Sequence, residues 1–223
     1  MNHKKIVAFD LDGTLLDTAP DFLIAVNTLQ ERHNTNKSSF NDIRSRVSEG
    51  ALALTKFALG IEDKEPKLLT LKEELLEIYW DCCLEKTSLF PGIAELLKEL
   101  NNNSIDWGIV TNKPLKFSEK IVQNKLNQFN PSFLICPDHT NSRKPSHKGL
   151  HLACKITNAK PSNAFFIGDH RIDIEAGKNA GMKTIAVGYG YVPLNESEKE
   201  WGADFCVMKA SEIKNHLKTK LWL

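Results

Sequence analysis

The sequence lacks any hydrophobic run long enough to cross a membrane. Its apolar stretches fall well short of the roughly 18 residues that a transmembrane helix needs. The opening residues, 1–5, are mostly polar and lead directly into a strand-like run, without the apolar centre of a signal peptide. We therefore expect a cytoplasmic protein that has no membrane partner.

An excess of charge of either sign is also missing. The chain of 223 residues carries 29 Lys and Arg against 28 Asp and Glu, a net charge of +1. Proteins that bind nucleic acid or anionic membranes present a strong basic excess. The balance predicts no nucleic-acid partner and restricts any positive potential to a local site.

Paired cysteines are absent from the pattern as well. The five cysteines are odd in number and form no C-x-x-C pair with nearby histidines. Such a set predicts free, mostly buried thiols in a reducing compartment and argues against a zinc site. The residues concerned are Cys82, Cys83, Cys136, Cys154 and Cys206.

What the sequence does contain is an apolar strand that ends in two carboxylates. The run 6–9 predicts a buried strand, and Asp10 and Asp12 follow it on one face of an extended chain. Two such charges about 4 Å apart repel by roughly 4 kcal/mol at an effective dielectric near 20. A bound cation or a shared proton must therefore accompany them. Gly13 and Thr14 add a close backbone approach and a hydroxyl.

The rest of the chain divides into a helical part and an alternating part. Residues 19–85 have helical periodicity, whereas apolar strands alternate with amphipathic helices after Pro91. This pattern predicts an α/β fold: a doubly wound, Rossmann-like parallel sheet. We expect residues 1–16 and 89–223 to form this core and 17–88 to form a small helical domain inserted after the first strand. The later strands are expected at 106–110, 132–136, 164–167, 183–187 and 204–207.

Further polar residues follow these strands, where parallel sheets bind ligands. Thr111 and Asn112 follow strand 106–110 and can meet an anion at a helix N-terminus, although Thr111 is also suited to cap that helix. Asp169 and Asp173 are four residues apart at a strand-to-helix junction, so both can face the first pair of aspartates. Such carboxylates suit Mg²⁺. Lys144 supplies a cation that balances carboxylates and a phosphoryl group.

These motifs, in this order, resemble the four motifs of the haloacid dehalogenase-like superfamily and its phosphatases. The resemblance implies that Asp10 is the nucleophile and Asp12 the general acid/base. It also implies that Mg²⁺ is held by the Asp10 carboxylate, the Asp12 backbone carbonyl and Asp169, supported by Asp173. Phosphoryl oxygens would be bound by Thr111, Asn112 and Lys144. The usual Lys-Pro-x-Pro continuation is replaced here by the sequence 144–147.

The same resemblance suggests a substrate. The helical insert looks like the cap of the phosphoglycolate phosphatase branch. The tract 188–191, among others, is similar to N-acetylmuramic acid 6-phosphate phosphatases. We expect a small phosphorylated metabolite as partner, 2-phosphoglycolate or N-acetylmuramic acid 6-phosphate, and a monomer or weak homodimer. Candidate substrate contacts are Arg44, Glu49 and Arg143, and Arg44 and Glu49 are also compatible with a solvated surface.

Two other functions remain open from the residues alone. A sugar-phosphate mutase shares both aspartates but retains the phosphoryl group. A non-catalytic protein of the same fold would bind a phosphorylated ligand without turnover. Asp12 argues against dehalogenation, because members of the superfamily that cleave carbon–halogen bonds lack the second aspartate.

Overall fold

The computed structural model describes residues 4–218, and within that range the chain forms a six-stranded parallel sheet flanked by helices. In chain order the strands are β1 (Lys4–Phe9), β2 (Leu16–Asp17), β3 (Ser88–Leu89), β4 (Asp106–Val110), β5 (Phe133–Ile135), β6 (Ala159–Gly168), β7 (Lys183–Val187) and β8 (Phe205–Val207). The α-helices are α1 (Ala19–Arg32), α2 (Phe40–Arg44), α3 (Ala51–Leu59), α4 (Leu68–Cys82), α5 (Ile93–Asn102), α6 (Leu115–Lys125), α7 (Pro137–Thr140), α8 (Lys148–Thr157), α9 (Arg171–Ala180) and α10 (Ala210–Lys218).

The sheet has the strand order β5-β4-β1-β6-β7-β8, and every neighbouring pair is parallel. After β1 the sheet grows outward through β4 and β5, then returns to the other side of β1 with β6. The carboxyl end of β1 therefore lies at the reversal of strand order, where open α/β sheets bind ligands. The predicted doubly wound α/β class is confirmed.

Strand β1 is the centre of the core. Its residues 6–9 are completely buried, as expected for a parallel strand that is covered on both faces. Phe9 is in register with Ile109 of β4 and Ile167 of β6. The Asp10 amide continues this pairing by donating to the Ile167 carbonyl at 2.9 Å. This register carries the residues after β1, β4 and β6 to one edge of the sheet.

Strand β6 begins earlier than its apolar run predicts. Lys4 pairs with Ala159 and Ile6 with Ala164, with an irregular register between them. The first half of β6 is polar and only partly buried, so its pairing is a backbone property that hydrophobic periodicity does not reveal. Conversely, β5 and β8 are shorter than the expected ranges 132–136 and 204–207.

Two compact units make up the described chain. The core unit contains the chain up to Leu16 and from Leu89 onward, and the helical unit is Asp17–Ser88. In the helical unit, Phe22 of α1 stacks on Tyr79 of α4 with ring centroids 3.9 Å apart. The function of the helical unit as a cap stays a prediction.

Two expectations from composition can be compared with the fold. No helix within residues 4–218 combines the length and the apolar character that a bilayer crossing requires. All five cysteines lie in the described range and are free thiols, as predicted, and only Cys206 is exposed.

Candidate active site

Five polar residues predicted from the sequence lie in loops and a helix at the carboxyl edge of the sheet. Asp10 follows β1, Thr111 follows β4 and Asp169 follows β6. Asp173 lies in the first turn of α9, and Lys144 lies in the loop before α8. The resulting cluster joins segments that are far apart in the chain.

Lys144 forms ion pairs with two of these aspartates. Its Nζ is 2.7 Å from Oδ1 of Asp10 and 2.6 Å from Oδ1 of Asp173. The side chain of Lys144 is 4% exposed, that of Asp10 13% and that of Asp173 0%. At these distances the two ion pairs are also charge-assisted hydrogen bonds, and they balance the charges of the three buried groups. Burial opposes the charged form of Lys144, but the two carboxylates outweigh it and raise its pKa.

Carboxyl groups nevertheless outnumber the cation in the cluster, and the ionised forms of Asp10 and Asp169 are disfavoured. Burial raises the pKa of Asp10 to about 6, Lys144 opposes this shift, and the charge of Asp173 adds to it. The pKa of Asp169 is also raised, first by burial and then by the charges of Asp10 and Asp173. One ammonium group therefore accompanies three carboxyl groups, and an additional cation would favour their ionised forms.

The donor set fits a divalent cation. Asp10, Asp169 and Asp173 can each present one carboxylate oxygen, and these three atoms lie within 4.8 Å of one another. Carboxylate oxygens are ligands that Mg²⁺ prefers, so these side chains could hold it. The Asp173 carboxylate also has protein partners: its Oδ2 accepts from the His170 amide at 3.1 Å, and its Oδ1 faces Lys144.

Asp169 is fixed by hydrogen bonds to both carboxylate oxygens. Thr14 donates from Oγ1 to Oδ1 at 3.1 Å, and the Tyr191 amide donates to Oδ2 at 2.7 Å. Gly13 has φ = +83°, and a Cβ at this position would overlap the Asp169 carboxylate. Only glycine accommodates both the conformation and the close approach, which explains the glycine that follows Asp12.

Asp12 has a partner that sequence reasoning missed. Lys113 donates from Nζ to Asp12 Oδ1 at 2.9 Å, and both side chains are largely buried, at 6% and 15% exposed. The sequence feature that could have indicated this partner is the position of Lys113, two residues after Thr111 in the same loop after β4. The carboxylate of Asp12 is thus oriented separately from the cluster around Lys144.

Thr111 does not cap α6. Pro114 precedes that helix, whereas the Thr111 hydroxyl accepts from the Lys113 amide at 3.1 Å and shapes the turn after β4. The alternative prediction, that Thr111 is the N-cap of α6, is therefore wrong. Thr111 is 4% exposed, and its contact with a phosphoryl group stays a prediction.

A family model described as "Haloacid dehalogenase-like hydrolase" matches residues 7–187, a span that includes all the residues of this cluster. The chain belongs to the haloacid dehalogenase-like hydrolases. It is 38% identical to an N-acetylmuramic acid 6-phosphate phosphatase of Pseudomonas putida over 97% of both proteins. It is 33% identical to a phosphoglycolate phosphatase of Pseudomonas savastanoi pv. phaseolicola, over 84% of this chain and 70% of that protein.

The fold also agrees with that of a solved structure. The crystal structure of a predicted phosphoglycolate phosphatase from Haemophilus somnus has a TM-score of 0.85 with 24% sequence identity. It covers 97% of this chain and 99% of that one. The predicted enzyme class, a phosphatase of the haloacid dehalogenase-like hydrolases, is confirmed at the level of the family.

In this haloacid dehalogenase-like hydrolase the side chain of Asn112 holds the backbone of Lys144. Its Oδ1 accepts from the Lys144 amide at 2.7 Å, and its Nδ2 donates to the Lys144 carbonyl at 3.2 Å. Arg143 donates to the Asn112 carbonyl at 3.3 Å in an exposed position. Asn112 therefore positions the lysine, while the phosphate contact of Asn112 and the substrate contact of Arg143 stay predictions.

The remaining predicted contacts of this hydrolase lie in the helical unit. Arg44 is the last residue of α2, and Glu49 is an exposed residue of the short 3-10 turn Val47–Glu49. Arg46 donates to the Asp42 carbonyl at 2.8 Å and stacks its guanidinium over the Phe57 ring. The assignment of Arg44 and Glu49 to substrate stays a prediction.

Proposed function

We propose that this chain is a Mg²⁺-dependent phosphatase that hydrolyses a small phosphomonoester through an aspartyl phosphate on Asp10. The observation that carries the proposal is the position of Lys144 Nζ between Asp10 and Asp173, beside Asp169, at the carboxyl edge of the sheet. A nucleophilic carboxylate and a phosphate are both anions. Their approach needs the positive charge of Lys144 together with a cation held by Asp10, Asp169 and the Asp12 carbonyl.

In the first half-reaction a carboxylate oxygen of Asp10 attacks phosphorus, and the bond from phosphorus to the ester oxygen breaks. Asp12 gives its proton to the departing oxygen. Thr111 and Lys144 bind phosphoryl oxygens and hold the group in line with Asp10. When bound, Mg²⁺ would neutralise negative charge on Asp10 and on the phosphoryl group.

The second half-reaction regenerates the enzyme. Asp12, now ionised, accepts a proton from water while the water oxygen attacks phosphorus. The bond between phosphorus and the Asp10 oxygen breaks, phosphate leaves, and Asp12 is again protonated. The ion pair from Lys113 supports the role of Asp12 as a base in this half-reaction, because it favours the ionised carboxylate and fixes its orientation.

For the substrate we propose N-acetylmuramic acid 6-phosphate first and 2-phosphoglycolate second. The relative with the first activity in its name is 38% identical to this chain, and the relative with the second is 33% identical. We further propose that the helical unit acts as the specificity cap, with Arg44 and Glu49 as contacts. Its separate helical core supports a domain role of this kind.

Phosphate release with Mg²⁺ tests the proposal across a panel of 2-phosphoglycolate, N-acetylmuramic acid 6-phosphate, other sugar phosphates and a nucleotide. We expect one strong substrate, with turnover lost in Asp10→Asn and in EDTA. Asp106→Asn is the matched control, since Asp106 pairs with Lys4 at the start of β4, away from the carboxyl edge of the sheet. A metal-bound wild type that hydrolyses nothing on the panel would favour a mutase or a non-catalytic binding protein.

A further inference from the structure

The segment Tyr189–Tyr191 follows β7, and its backbone contacts the Asp169 side chain. The Tyr191 amide donates to Asp169 Oδ2 at 2.7 Å. Gly190 approaches so closely that a Cβ there would overlap the Asp169 side chain and the Gly13 carbonyl. Because β7 pairs with β6 in the sheet, this segment and Asp169 leave the sheet side by side.

The hydroxyl of Tyr189 reaches the same carboxylate through Thr14. Tyr189 donates to the Thr14 carbonyl at 3.0 Å, and Thr14 donates from its own hydroxyl to Asp169 Oδ1 at 3.1 Å. Thr14 is completely buried, so it has little freedom to find another arrangement. Tyr189 therefore fixes the backbone of Thr14, and the Thr14 hydroxyl orients one oxygen of Asp169.

Aromatic packing holds the segment in place. The ring of Phe90 lies 5.1 Å from that of Tyr189 and 6.3 Å from that of Tyr191, between ring centroids. Burial, with a smaller contribution from the charge of Asp169, raises the pKa of the Tyr189 hydroxyl. The phenol thus remains a protonated donor over the pH range of an enzyme assay.

We propose that Tyr189 is a positioning residue for the divalent metal site, acting through Thr14 on the orientation of Asp169. This inference rests on the proposed function, because it takes Asp169 as a metal ligand. Both carboxylate oxygens of Asp169 already accept one protein hydrogen bond, and these bonds set the direction of the lone pairs that remain for a cation. Partners that orient metal ligands typically change metal affinity by about 10-fold or more when removed.

Isothermal titration of the full-length, substrate-free protein with Mg²⁺ alone tests the inference. We expect Tyr189→Phe to bind Mg²⁺ roughly 10-fold more weakly than wild type. The Mg²⁺ concentration for half-maximal phosphatase activity should rise by the same factor, with kcat nearly recovered at saturating Mg²⁺. Tyr79→Phe makes the same chemical change in the helical unit and should leave Mg²⁺ affinity unaltered.

A second variant examines the route through Thr14. Thr14→Val removes the hydroxyl donor to Asp169, and its effect on Mg²⁺ affinity should not add to that of Tyr189→Phe in the double variant. Urea unfolding in EDTA separates positioning from a purely structural role. If Tyr189→Phe lowers stability but binds Mg²⁺ like wild type, the inference is wrong and the proposed function stands. If wild type itself binds no Mg²⁺, both fail.

Discussion

Lys113 and Asp12 are 101 residues apart in the chain and form a hydrogen-bonded ion pair, Nζ to Oδ1, of 2.9 Å. Neither side chain is more than 15% exposed. The pair links the loop after β4 to the loop after β1. It gives the proposed general acid/base a fixed orientation that is independent of Lys144.

Removal of this pair should slow catalysis more than it weakens binding. In Lys113→Met the Asp12 carboxylate loses its partner, and we expect kcat to fall by roughly 10-fold or more while KM changes little. Steady-state phosphate release on the best substrate measures both constants. Lys116→Met, an exposed position on α6, is the control. An unchanged kcat in Lys113→Met would refute the orienting role.

The ion pairs of Lys144 should dominate the stability of the metal-free site. Lys144→Met leaves Asp10 and Asp173 buried without a cation, which should lower the free energy of unfolding in EDTA by about 3–5 kcal/mol. Lys4→Met removes the exposed pair with Asp106 and should cost about 1 kcal/mol or less. Urea titrations of the two variants make the comparison, and equal losses would contradict it.

Asp21 should be essential to the stability of the helical unit. It is completely buried and accepts from the Lys86 amide at 2.7 Å, the Thr87 amide at 2.9 Å and the Thr87 hydroxyl at 2.7 Å. Asp21→Asn retains the volume but leaves one of these donors unsatisfied, at a cost of about 1–3 kcal/mol. Thermal unfolding measures the loss. Asp63→Asn, in an exposed pair with Lys56, is expected to have almost no effect.

Asp204 should contribute stability that depends on pH. Burial alone would raise its pKa, but the bonds from Lys183 and Thr184 outweigh burial and lower it. Since the folded-state pKa lies below the unfolded value of about 3.9, its contribution is complete above that value and declines as the pH falls through the folded pKa. Asp204→Asn should therefore destabilise by about 1–3 kcal/mol at pH 7 and by progressively less below pH 4. A difference in unfolding free energy that stays constant down to pH 3 would exclude this linkage.

Glu49 offers a test of substrate choice. It is an exposed carboxylate, and the proposed substrates both carry a carboxylate that it would repel. Glu49→Gly should raise kcat/KM for N-acetylmuramic acid 6-phosphate several-fold, with little change for a phosphorylated sugar that has no carboxylate. Glu62→Gln, another acidic position of the helical unit, is the control. A uniform change across both substrates would remove Glu49 from the specificity contacts.

Particular residues show how far sequence reasoning reaches at this site. Asp10 and Asp169 follow strands whose apolar runs are unmistakable, so their meeting at one sheet edge followed from parallel topology. Asn112 was predicted as a phosphate contact, and the structure adds a hydrogen-bonded link to the Lys144 backbone. The partner of the Asn112 side-chain amide depends on the paths of two loops. The periodicity of the sequence does not predict those paths.

By itself the sequence determined the parallel α/β core and the group of charged residues at its carboxyl edge. Both follow from local burial patterns and from the rule that neighbouring parallel strands end on the same side. Tertiary structure alone decided that Lys113 reaches Asp12 and that Tyr189 reaches Thr14. Those pairs join residues 101 and 175 positions apart. They depend on turn directions and side-chain rotamers that only the packed chain selects.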